Sequence, residues 1–213
     1  LNKGNMNAGA LEGGYIVGTE NFTSVQITNA LSVVTNTIIN KGQTYFYPVT
    51  TPISYVQANK NVYCYQADGI GCEGGAAILP PLSCAGSSLV AFSRNQPNQY
   101  FLNILCKNGA QGSFTINGST ALIPAAAFTV VPGTGGQYVA AQIPFSLAQI
   151  PIGSYTVGNN TPPPLNDFAL GIFDGSAGGG MNFYYMSSFL RRTFVTTGSI
   201  TPVCASPNAV AVL

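Results

Sequence analysis

Few residues in this chain can do acid–base or nucleophilic chemistry. Its acids are Glu12, Glu20, Asp68, Glu73, Asp167 and Asp174, and it has no His. A serine or cysteine nucleophile needs a base beside it. None of the four lysines stands in an S-x-x-K context. Two carboxylates can serve a glycosidase, but no motif singles out a pair here. Asp68-Gly69 and Asp174-Gly175 read as turn dipeptides, in which a short side chain caps local backbone. The glycine-rich stretches 133–136 and 178–180 lack the Gly-Lys-Ser/Thr that completes a phosphate-binding loop. The expectation is a chain with no catalytic centre, no cofactor and no metal site.

The cysteines suggest covalent chemistry of another kind. Cys64, Cys72, Cys84 and Cys106 fall within 43 residues, and Cys204 stands far downstream. With no CxxC pair and no His, the spacing does not suit structural zinc. One or two disulfides stapling a loop-rich region are expected, which implies an oxidising location. Buried free thiols are the alternative, and the pairing stays open. Three N-x-S/T sequons, at Asn21, Asn117 and Asn159, make N-glycans the other expected modification. Asn117 and Asn159 lie at predicted turns, and a glycan coat would help keep a charge-poor surface soluble.

Composition narrows the partners. Charged residues make up 6% of the chain, against roughly 25% in ordinary soluble proteins. Asn, Gln, Ser and Thr supply 63 of the 213 residues. Seven scattered cations form no phosphate-neutralising face, so nucleic acid is not an expected partner. Aromatics at 11% argue against a disordered tail. Mean hydropathy is +0.26, yet no run approaches the roughly 18 consecutive apolar residues of a spanning helix.

The elements that must carry these residues read as short strands between turns. Val25, Ile27, Leu31 and Val33 alternate with Gln26, Thr28, Ala30 and Ser32, with Asn29 the one violation on the apolar face. That is the period of a half-buried strand. A turn at Asn40-Lys41-Gly42 and a resumption at Thr44 predict a hairpin. Pro48 predicts a short or edge return strand. Further β-branched and aromatic runs follow at 61–65, 88–92, 100–106, 113–116, 126–131, 138–145, 153–157, 168–173, 182–186 and 193–197. Ten or so strands with regular turn signals predict an all-β fold, a β-sandwich of Ig-like or jelly-roll-like type, with an N-terminal extended strand. Residues 1–21 are expected to be the extension and 22–213 a single sandwich domain.

The tails suggest a partner. Leu11, Gly13, Tyr15, Val17 and Thr19 alternate with Glu12, Gly14, Ile16 and Gly18. A terminal, glycine-rich strand of this kind can add to a sheet edge of another copy. Ala209-Val210-Ala211-Val212-Leu213 alternates similarly and is the second candidate.

In its scarcity of charge, its abundance of Asn, Thr, Tyr and Gly, its sequons, its cysteines and its segment 11–19, the chain resembles secreted archaeal thread-type filament subunits. The resemblance implies an extracellular glycosylated β-domain pilin. Identical subunits would polymerise by donor-strand insertion, a heterologous contact that does not close. Two other classes fit the same residues: a viral capsid or spike protein, and a secreted carbohydrate-binding module whose tyrosines stack on sugars.

Overall fold

The structure is a computed structural model, and it describes residues 5–6, 12–71, 73–82, 86–176, 179–185 and 210–212. These residues are nearly all β. In chain order the first half carries β1 (Asn5–Met6), β2 (Gly13–Gly18), β3 (Thr23–Asn29), β4 (Val34–Ile39), β5 (Thr44–Pro48), β6 (Ser54–Ala58), β7 (Val62–Gly71) and β8 (Glu73–Ile78). The second half carries β9 (Leu89–Arg94), β10 (Gln99–Lys107), β11 (Phe114–Ile116), β12 (Thr129–Val130), β13 (Tyr138–Phe145), β14 (Gly153–Asn159), β15 (Phe168–Ser176), β16 (Gly180–Tyr185) and β17 (Val210–Val212). A single 3-10 turn, Ala125–Ala127, interrupts them.

Four sheets result. One has the order β1-β7-β2-β5, with β8 also on β7, and it faces the sheet β17-β6-β3-β4. Their inner faces share one core, in which Ile16, Val25, Ile27, Val56, Cys64 and Ile70 meet. The second pair is β12-β13-β10-β15-β16 against β11-β14-β9. Its core gathers Phe92, Tyr100, Leu102, Ile104, Phe114, Ile143, Val157 and Leu170. Each core takes alternate residues from both of its sheets, which is the signature of sandwich packing.

The two sandwiches are joined through one sheet buried on both sides. Leu102, Ile104, Leu170 and Ile172 face the second core. On the opposite face of the same strands, Leu105 and Ala169 meet Tyr55, Val131 and Ala140 in a small third cluster. Phe173 of β15 reaches into the first core, and Phe101 of β10 packs beside it. The buried apolar residues thus fall into two large clusters and this small third one, with β10 and β15 contributing to each.

Several local expectations change. The strand beginning near Phe22 ends at Asn29, so Leu31 and Val33 are exposed rather than on the core face. Asn29 builds the turn that ends it: its Oδ1 accepts the N–H groups of Leu31 (2.9 Å) and Val33 (3.0 Å). The turn at Asn40-Lys41-Gly42 is no hairpin, because β4 pairs with β3 whereas β5 pairs with β2. The corner crosses from one sheet to the other, with Gly42 at φ +78°. Asp68-Gly69 and Asp174-Gly175 are not turns but lie within the long strands β7 and β15. Pro48 does end an edge strand, since β5 is outermost in its sheet.

Candidate functional site

The outer face of the β1-β7-β2-β5 sheet collects aromatic side chains. Along β7, Cys64, Gln66 and Asp68 turn inward, which leaves Tyr63 and Tyr65 outward, 61% and 41% exposed. Register then aligns them with their neighbours. Ile78 lies opposite Tyr65, Tyr65 opposite Tyr15, and Tyr15 opposite Phe46, a row across four strands. Beside it run Tyr63, Val17 and Thr44. The Tyr15 and Phe46 rings pack 4.9 Å apart at 44°. Phe46 lies over Gly13, where a Cβ would sit 2.6 Å from its Cε2 and collide with the Tyr47 carbonyl. Neither row contains an acid or a base. Tyrosines offer a large apolar face with a polar hydroxyl at modest entropy cost, so this surface suits recognition rather than proton transfer.

The opposite outer face, on β17-β6-β3-β4, is amide-rich. Ser24, Gln26, Gln57 and Asn59 line a shallow depression of about 200 Å³. Gln26 Nε2 donates to Asn36 Oδ1 at 3.2 Å, and Ser24 N donates to Asn59 Oδ1 at 2.8 Å. None of these side chains carries a charge.

Three charged residues lie inside, Asp68, Arg94 and Asp174, and the other described ones are partly or fully exposed. Asp68 is buried, accepting from Gln66 Nε2 at 3.0 Å and from Gly69 N at 2.7 Å. Burial, with the Glu12 carboxyl hydrogen-bonded beside it, pushes Asp68 up to about 9, so it holds a proton at neutral pH. Two carboxyls sharing a proton is the expected state of such a pair. Asp68 is 1% exposed. Arg94 is likewise buried and donates to the carbonyls of Phe145, Ser146, Ile150, Gln96 and Asn98, with its guanidinium 5.2 Å from the Tyr100 ring. Asp174 is raised by burial, with Arg94 and Asn98 acting in the opposite direction. Neither signal was visible in the sequence, which gives no hint that Arg94 or Asp68 is internal.

The expected sites land as follows. Cys64 and Cys106 are buried free thiols in different cores, so neither forms the expected staple. Burial pushes them up to about 11 and about 12. Cys72, Cys84 and Cys204 lie outside the described residues. Asn21 and Asn117 are exposed, whereas Asn159 is 5% exposed with its Nδ2 shielded, leaving no room for a glycan on the folded chain. Asn159 Oδ1 accepts Thr161 N at 3.0 Å, while the buried Nδ2 has no hydrogen-bond partner.

The segment expected to add to a sheet of another copy has two strand partners in its own chain. Gly13, Tyr15 and Val17 lie in β2, flanked by β5 and β7 of the same chain. Gly13 serves the close approach to Tyr47 and Phe46 described above. Thr19 follows the strand and donates its hydroxyl to Asn61 O at 2.6 Å. Leu11 lies outside the described residues. Among the described residues no helix is long and apolar enough to cross a membrane.

The paired antiparallel sheets make the described chain an all-β protein of β-sandwich type. A family model described as IgGFc binding protein matches residues 7–167, about three quarters of the chain, and the chain belongs to that family. The family is one of extracellular β-rich proteins. Comparisons with curated proteins and with solved structures return no match.

Proposed function

We propose that the chain is an extracellular recognition module that binds a protein partner through the aromatic face of its first sandwich and catalyses no reaction. The observation that carries this reading is the row Ile78–Tyr65–Tyr15–Phe46 with Tyr63 beside it, within the segment that matches the family. Exposed apolar patches rimmed by polar residues mark interaction sites. Tyrosine is among the residues enriched where binding energy concentrates. The ligand named in the family description, the Fc region of immunoglobulin G, is the first partner to test. The scarcity of charge fits a face that gives up little hydration on docking.

The test is binding of the full chain to immobilised Fc, compared with Tyr63→Ser and Tyr65→Ser. Both side chains are exposed, so the variants keep the fold. The expected result is saturable binding that each variant weakens about tenfold, as loss of a central tyrosine does. Binding unaltered by either change would overturn the assignment of the face. Absence of Fc binding combined with binding on a neutral glycan array would replace the protein partner with a saccharide.

A filament subunit is the second reading, and one observation favours it. Val210–Val212 pairs antiparallel with Tyr55, Val56 and Gln57 at an outer edge of its sheet. With β2 held inside its own sheet, this C-terminal strand is the segment suited to insertion in a neighbour. Electron micrographs of concentrated full-length protein showing filaments, lost on deletion of 209–213, would support it. Glycans on exposed Asn21 and Asn117 accompany either reading.

A further inference from the structure

Strand β4 is outermost in its sheet. β3 occupies one side of it, and among the described residues no strand pairs with the other. Natural edges are usually blunted with Lys, Pro or a bulge, because an open ladder invites another strand. The stretch Val33-Val34-Thr35-Asn36-Thr37-Ile38-Ile39 has no charge and no Pro. Val34 and Ile38 are nevertheless 47% and 68% exposed, and Val33 and Leu31 extend the apolar strip beyond the strand's start.

The backbone phase shows which groups are open. Val33 O accepts from Asn29 N, at the head of the β3–β4 ladder. Hydrogen-bonded positions alternate along an antiparallel pair. The backbones of Thr35 and Thr37 therefore turn to β3, and those of Val34, Asn36 and Ile38 turn outward with their N–H and C=O groups.

The same stretch is a near-palindrome in side-chain type. Reading outward from Asn36, Thr meets Thr, then Val34 matches Ile38, then Val33 matches Ile39. Antiparallel pairing with a second copy about Asn36 sets each residue opposite one of its own kind. It also matches the outward-turned residues: Val34 with Ile38, Asn36 with Asn36. β-branched and Thr–Thr cross-strand pairs are favourable ones. Charge does not oppose the pairing. The nearest charge along the strand is Lys41. The two-fold arrangement puts the two copies of Lys41 at opposite ends of the joint, roughly 34 Å apart at about 3.4 Å per residue.

We propose that two copies of the chain associate edge to edge through β4, antiparallel and centred on Asn36, fusing their β17-β6-β3-β4 sheets into one. The contact is isologous and closes on itself, so it yields a dimer rather than a fibre. A joint six residues long falls below the roughly 1,000 Å² of a strong interface, so the dimer is weak and concentration-dependent.

The test is sedimentation velocity of the full chain from about 1 to 500 μM, a range set by that weak-interface expectation. A reversible monomer–dimer equilibrium is expected. Asn36→Lys and Asn36→Asp each place like charges face to face and should lower the association constant at least about tenfold. Position 36 is exposed, so both variants fold, which unchanged melting curves would verify. An equimolar mixture of the two variants should recover dimer, because opposite charges then meet at the centre. A wild-type chain monomeric throughout, a variant that dimerises normally, or a mixture that fails to recover overturns the proposal. Open-ended oligomers insensitive to position 36 overturn it too, and direct attention to the β17 side.

Discussion

At Asp68 the chain holds a carboxyl that keeps its proton where an exposed aspartate has lost it, and the sign of the consequence follows. An unfolded Asp titrates near 3.9. The folded chain binds this proton more tightly, because burial and Glu12 both disfavour the charged form. Stability from this group is therefore fully present below about pH 4 and declines as the pH rises towards the raised value, by at most about 1.4 kcal/mol per pH unit. The melting temperature of the wild type should fall between pH 4 and pH 8. Asp68→Asn, neutral throughout, should flatten that slope, and a thermal melt series across those pH values measures it. A slope unchanged in the variant would mean other groups set the pH dependence. Little of this was legible in the sequence. The pair Asp68-Gly69 has turn composition, and only the ten-residue strand β7 around it shows that the side chain points into the core. Asn29 is the converse case. It breaks the apolar alternation, and that irregularity is the residue that turns the chain.

Among the elements, strand existence was largely readable and strand partnership was not. Alternation and β-branched or aromatic runs are local properties, so they placed β3, β10, β13 and β15 near their observed positions and caught the first part of β7. Which strand lies beside which depends on contacts far apart in sequence. That is why β4 and β5, adjacent along the chain, belong to different sheets. The aromatic face has the same origin. Tyr15, Phe46, Tyr65 and Ile78 are scattered over some sixty residues and become a row only through register. The row depends on Gly13, over which Phe46 lies. Gly13→Ala should displace that ring and lower stability by about 1–3 kcal/mol, as overpacking does. Gly112, with nothing within 4 Å of an added Cβ, is the control, and Gly112→Ala should change stability by less than about 0.5 kcal/mol. Urea unfolding midpoints for the two variants decide the matter; equal midpoints would remove Gly13 from the architecture of the face.

For the molecule as a whole, the sheet carrying β10 and β15 is the feature that the two sandwiches share. Phe173 belongs to the second half by sequence and to the first core by packing. Phe173→Ala should cost about 3–5 kcal/mol, the usual range for a buried phenylalanine. It should also split a single unfolding transition into two, one for each core, as seen by calorimetry. One unsplit transition in the variant would show that the third cluster, at Tyr55, Leu105 and Ala169, is enough to couple the halves. The sequence, with its even run of strands and no marked linker before Pro162, offers no sign of the two interiors. The placement of Phe173 has a further consequence in time. A ribosome delivers the chain from its N-terminus, and the first core lacks one of its large side chains until residue 173 has emerged. Through most of synthesis the leading half therefore lacks part of its interior, which is filled only when the trailing strands arrive.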